Sequence, residues 1–277
     1  NSRGKENPMD NRPIGVFDSG VGGLSAVRRL EKLLPGEDIV YFGDTGRMPY
    51  GTRSRETIIG YSKEIIAFLL EKDVKMVAAC GTISSNLPDS VVKALPVPYT
   101  GVMLPAAQVA AATTSNGRIG LIGTTATVRS GLFGKAIRSI RPETKLFGKA
   151  CPLLVPMVEE GLLEEDNEIV RLTLEMYLSS IKKENVDTLI LGCTHFSLLY
   201  NQVDRVMESK VTLVDAAGAA AQYVQSFLTE RDMLGDSSRK GKTRFFVSSE
   251  PEAFCETAQK FLGRSISADL RVQVLGK

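Results

Sequence analysis

Cys193 stands two residues before His195, the only histidine of the chain, inside the stretch LILGCTHFSLL at 189–199. The apolar run before it reads as a buried strand and the residues after it as a helix start. A thiol placed there meets the positive end and free N–H groups of a helix, which stabilise thiolate and lower the pKa from about 8.5. A second stretch, VAACGTISSNL at 77–87, repeats the order of strand, Cys80, small residues and helix. A buried cysteine is often no more than a small apolar residue, but the repetition argues for a role. Metal ligation fits poorly, since Cys-x-His offers two ligands at close spacing and no other histidine completes a set. Thiol hydrolysis needs only one Cys and one His, and would leave Cys80 without purpose. A redox disulfide between Cys80 and Cys193 requires sulfur contact that nothing in the sequence demands.

Three further stretches could do chemistry. DSGVGG at 18–23 invites a dinucleotide reading, but GxGxxG counted from Gly20 needs glycine where Ser25 stands, so the fingerprint fails. The N–H groups of such a turn still make a carboxylate seat, and Asp18 at the same seat reads as a proton relay or ammonium partner. GDTGRMPYGTRS at 43–54 is too polar and too rich in Gly and Pro for strand or helix, and long for a strand-to-helix connection. It reads as a binding loop whose Arg47 and Arg53 are either exposed charges or contacts for an anionic substrate. GTTAT at 123–127 offers hydroxyls and amides at another helix start.

All these groups follow short apolar runs. IGVFD at 14, IVYFGD at 39, MVAAC at 76, VPYTGVM at 97, RIGLIGT at 118, TLILGC at 188, VTLVDA at 211 and TRFFVS at 243 alternate with helical patterns. That alternation predicts an α/β protein with largely parallel, doubly covered sheets, whose ligands sit at the carboxyl ends of the strands. RPIGVFDSGVGG and GRIGLIGTTATV match loosely, as the two cysteine stretches do, and both pairs imply a duplication with one cysteine per half. At 277 residues and 43% hydrophobic, two domains are expected. A net charge of +2 gives no reason to expect nucleic acid or an anionic membrane as partner, which leaves a small-molecule substrate. Four cysteines without a CxxC pair, and no apolar signal or spanning run, predict a reduced, cytoplasmic protein. Residues 1–8 are expected to be an expression remnant and residues 1–9 to be disordered, with Met9 followed by DNRPIGVFDSG as the natural start.

Taken in order and spacing, IGVFDSGVGGLSAVRRL, YFGDTGRMPYGTRS, AACGTISS, IGLIGTTATVRSG and LILGCTHFSLL closely resemble the glutamate racemases of the cofactor-independent aspartate/glutamate racemase family. FFVSSEPEAFCETAQKFLG resembles that family's C-terminal strand and helix, and the likeness runs over residues 12–263. It implies two pseudo-symmetric α/β domains with the active site in the cleft between them, and racemisation without pyridoxal phosphate or metal. On this chain it makes Cys80 and Cys193 the acid/base thiols on opposite faces of the substrate Cα, assisted by Asp18 and His195. It puts Asp18, Ser19, Pro49, Tyr50, Gly51, Gly81, Thr82, Thr124, Cys193 and Thr194 at substrate-contact positions. Where many members have Cys-Asn-Thr, this chain has Cys80-Gly81-Thr82, so Ser84, Ser85 or water is expected to replace the missing amide. The chemistry agrees on its own terms: inversion by proton transfer needs one base on each face, and a thiol's pKa can be tuned near neutrality.

The expectation is therefore a first domain of residues 10–103 with 214–277 and a second of 104–213. The expected function is a cytoplasmic glutamate racemase, a homodimer supplying D-glutamate for peptidoglycan. The alternatives are an aspartate racemase of the same family, or a non-catalytic two-domain amino-acid sensor.

Overall fold

The computed structural model describes residues 9–50, 53–81 and 87–276. In chain order the first elements are β1 (Ile14–Asp18), α1 (Leu24–Leu33), β2 (Ile39–Gly43), α2 (Arg55–Glu71), β3 (Met76–Ala79), α3 (Asp89–Lys93) and β4 (Tyr99–Gly101). Next come α4 (Met103–Thr113), β5 (Arg118–Gly123), α5 (Thr125–Ser130), α6 (Leu132–Ile140), β6 (Lys145–Ala150), α7 (Leu154–Glu159), α8 (Glu168–Lys182) and β7 (Thr188–Leu191). The chain closes with α9 (Tyr200–Val206), β8 (Thr212–Asp215), α10 (Ala216–Glu230), β9 (Thr243–Val247), α11 (Pro251–Leu262) and β10 (Leu270–Val272).

Every residue of β1, β2 and β3 is buried, as helices on both faces of a parallel sheet require. The first sheet runs β10-β9-β2-β1-β3-β4 and the second β6-β5-β7-β8, all pairs parallel. In each sheet an Ile-Gly-apolar strand lies beside a cysteine-bearing one: Ile14 is opposite Met76, and Ile119 opposite Thr188. The eight apolar runs are all strands, and two more were not read. β6 carries two lysines and is only half buried at the sheet edge, and β10 is a three-residue edge strand. Neither has the continuous apolar pattern that marks a central strand.

The two sheets share a core. One apolar cluster passes from Val16 and Leu24 through Ala106 and Ala217 to Leu121 and Leu189. The alanine-rich α4 and α10 pack against each other, and α10 also packs on α1, so small side chains let the helices at the junction approach closely. A separate cluster of Phe17, Phe42, Ile65 and Leu69 lies under α2 on the other face of the first sheet. At the amino ends of its strands Lys75 is fully buried. Its Nζ donates to the carbonyls of Asp10 and Met233 and pairs with Glu37, each at 2.7 Å. A buried charge demands this degree of satisfaction, and it ties Asp10 before β1, Glu37 before β2 and Met233 after α10 together.

Candidate active site

The two thiols occupy corresponding places. Cys80 follows β3 and its N–H donates to Phe17 O of β1 at 3.1 Å; Gly192, just before Cys193, donates to Ile122 O of β5 at 2.8 Å. Beyond these points the halves differ. Cys193 is the N-cap of a 3-10 helix at Thr194–Leu199. Cys80 is followed by Gly81 in the left-handed region, φ +60°, and the next described helix starts only at Asp89. The helix-start environment expected of both cysteines is seen at Cys193, and the residues that follow Gly81 on the other side, 82–86, lie outside those described. Gly81 itself lies in a turn, and a Cβ there would lie 3.6 Å from Asp18 Oδ1.

On the Cys193 side, Sγ is 3.8 Å from His195 Nδ1, and His195 Nε2 is 3.0 Å from Glu159 Oε1 at the end of α7. Phe261 of α11 meets the imidazole edge-on at 5.6 Å. Burial opposes a charge on this ring, but the hydrogen bonds to Cys193 and Glu159 outweigh it, and the pKa rises from 6.5 to about 10. A protonated imidazole donates from both nitrogens, so His195 holds a proton directed at the sulfur. Because its proton is bound more tightly in the folded chain, His195 stabilises the fold fully below pH 6.5 and loses that contribution as pH rises through about 10. Wild-type Tm should fall across this window, and His195→Asn should remove most of the slope in thermal melts. An unchanged slope would mean that the folded ring is neutral.

On the Cys80 side the thiol is 1% exposed. Burial, and then the Asp18 carboxylate, push its pKa well up. Asp18 is buried at the end of β1, where Oδ2 accepts Gly23 N–H at 3.0 Å, so it closes the turn that it also charges. Tyr41 OH donates to Gly20 O at 2.6 Å and fixes the same turn from β2. This turn is where the halves meet: a Cβ on Gly22 would lie 2.5 Å from Thr194 Oγ1 and 2.8 Å from the His195 ring. Ser25 Oγ donates to Thr194 O at 2.9 Å across the same contact. The electrostatic influence of Asp18 reaches both Cys80 and His195.

In the 43–54 stretch Asp44 is fully buried, and its N–H donates to Asp18 O at 3.0 Å. Its carboxylate accepts from Arg47, Tyr50 and Ser248. Tyr50 is 2% exposed, Pro49 is exposed after a cis peptide bond, and Ser19 is half-buried. Met48 Sδ lies 2.7 Å from where a Gly20 Cβ would stand, so the stretch rests on the Asp18 turn. Arg47 is paired with Asp44 and Glu64 and Arg53 is exposed. At the carboxyl end of β5, Thr124 Oγ1 caps α5 by accepting Thr127 N–H at 3.2 Å. Thr194 is buried. Gly51, Thr82, Ser84 and Ser85 lie outside the described residues, as do residues 1–8.

Asp18, Cys80 and Gly81 thus form one group, Cys193, Thr194 and His195 another, and Gly22 joins them. Glu159 and Ser25 were not singled out from sequence. Nothing local distinguishes Glu159 from its neighbour Glu160, and only the fold brings it to a histidine 36 residues on.

This geometry has close relatives. The profile of the Asp/Glu/hydantoin racemase family matches residues 14–224. A glutamate racemase of Geobacter metallireducens is 45% identical over 91% of this chain and 93% of its own length. Among solved structures, a glutamate racemase isoform from Bacillus anthracis superposes with a TM-score of 0.88 at 33% identity, covering 97% of this chain and 98% of that one. The glutamate racemase of Francisella tularensis in complex with D-glutamate gives 0.85 at 34% identity, with the same coverage. The strand order, the matched cysteines and these likenesses agree: the chain belongs to the Asp/Glu/hydantoin racemase family and is an amino-acid racemase, an isomerase.

Proposed function

We propose that the protein interconverts L- and D-glutamate by proton transfer at Cα between two thiols. The observation that carries this reading is the pair of cysteines at matched strand ends in half-sites that abut at Gly22. In one direction Cys193 as thiolate takes the α-proton, the C–H electron pair passes to the carbon next to the carboxylate, and the Cys80 thiol returns a proton to the opposite face. In the other direction the roles exchange. The high pKa of Cys80 suits it as donor, and His195, between Cys193 and Glu159, keeps a proton at hand on its side. Backbone N–H groups of the strand-end turns supply positive ends for the carboxylate on which charge develops.

In this proposal the unit of residues 10–103 with 214–277 and that of 104–213 flank the substrate, with Ser19, Pro49, Tyr50, Gly51, Thr82, Thr124 and Thr194 contacting it. No metal or other cofactor takes part. The protein acts in the cytoplasm as a homodimer and supplies D-glutamate for peptidoglycan. Circular dichroism of L-glutamate incubated with the protein alone tests the activity: the signal should decay to zero. A signal unchanged at high protein concentration would favour the sensor, and decay with L-aspartate but not L-glutamate would favour the aspartate racemase.

A further inference from the structure

Asp44 is a fully buried carboxylate one residue beyond β2, and a buried carboxylate requires a counter-charge and hydrogen bonds. It receives Arg47 Nε at 2.7 Å, Ser248 Oγ at 2.8 Å and the Tyr50 hydroxyl. Arg47 and Tyr50 bond the same oxygen, Oδ2, so the segment between them is closed into a short arc. The arc presents Met48 against Gly20 and Pro49 to the outside. Arg47 continues outward, with Nη1 at 2.5 Å from Glu64 Oε2 on α2. Its Cζ lies 4.0 Å over the ring of Tyr61, which packs on Tyr50 at 5.6 Å. The buried Nη2 has no hydrogen-bond partner among the described residues. Two of the fork's directions are therefore committed to carboxylates and its face to an aromatic ring, a combination that the point charge of lysine does not reproduce.

We propose that Arg47 is a positioning residue for the substrate: by compensating the buried Asp44 carboxylate, with its outer end held by Glu64, it keeps closed the arc from which Tyr50 meets glutamate. The proposal rests on the racemase reading, and it gives Arg47 a different task from the direct anion contact that its sequence position also allowed. Removing the guanidinium leaves the Asp44 charge buried and uncompensated, so the arc must open to bring water in. The reacting thiols, held just beyond β3 and β7, stay in place.

KM and kcat for both enantiomers, with Tm and amide hydrogen exchange over residues 44–50, test it in Arg47→Met, Glu64→Gln and the double variant Asp44→Asn with Arg47→Met. Arg47→Met should raise KM by about tenfold or more with kcat within about threefold, the pattern of lost binding rather than lost chemistry. Glu64→Gln, altered at the half-exposed end, should raise KM less and leave Tm near wild type. The double variant buries no unpaired charge and keeps a partner for Tyr50, so it should return KM and exchange towards wild type. A wild-type KM in Arg47→Met overturns the proposal, as does a double variant no better than the single one, which would mean that Arg47 itself meets the substrate. Should Arg47→Met fail to fold, Glu64→Gln and the double variant carry the same comparison. Wild type inactive on glutamate would sink the racemase reading instead, and exchange over residues 44–50 would still decide whether Arg47 orders the arc.

Discussion

Serine at either Cys80 or Cys193 should abolish racemisation in both directions, by about 10³-fold or more. In the proposed mechanism each direction uses one sulfur as base and the other as acid, and a hydroxyl is far too weakly acidic to take either part. The fold should survive. Both cysteines are buried next to polar groups, and sulfur to oxygen removes no large apolar volume, so Tm should move by only a few degrees. A singly substituted protein that is folded and nearly fully active in either direction would remove that thiol from the chemistry.

Alanine at Gly22 should be almost as damaging, without touching a reacting atom. The added methyl would stand 2.5 Å from Thr194 Oγ1 and 2.8 Å from an imidazole held on its far sides by Glu159 and Phe261. Neither neighbour can yield freely, so the Asp18 turn and the Cys193 turn must separate. A displacement of about 1 Å between groups that act together can cost about 10²-fold, and a loss of that size in kcat/KM is expected. Gly60 in α2 is the control. A Cβ there meets nothing within 4 Å, and alanine at such a helical position should leave activity unchanged and stability equal or higher by about 0.5–1 kcal/mol. If the two substitutions behave alike, the close approach at Gly22 does not govern the site.

The sequence made the central strands and the chemistry-bearing turns legible because fully buried parallel strands are continuous apolar runs, and because ligand groups gather at their carboxyl ends. Edge strands escaped. β6 offers lysines to solvent and β10 has three residues, so neither carries the pattern that central burial imposes. Within the site, local signals reached only as far as neighbours in the chain. Cys193 and His195 could be paired by spacing, whereas Glu159 comes from another helix and Ser248 meets Asp44 across 204 residues. The repeat between the cysteine stretches suggested equal environments, yet Gly81 turns the chain left-handed where Cys193 enters a 3-10 helix. That inequality follows from a single glycine whose backbone freedom no apolar periodicity reports. Arg47 read from sequence as an exposed charge or a substrate contact, and its engagement with two carboxylates and a tyrosine depends on α2 folding back over the stretch.

The central claim is that two bases act on opposite faces, and solvent deuterium tests it most directly. With L-glutamate and the protein in D₂O, early samples separated by enantiomer should carry deuterium at Cα in the D-product and almost none in the remaining L-substrate. The thiol that removes the proton keeps it on its own face while the other, already exchanged, delivers deuterium. The reverse reaction from D-glutamate should show the mirror pattern. Deuterium appearing equally in substrate and product from the earliest times would mean that a single base serves both faces, and would contradict the mechanism.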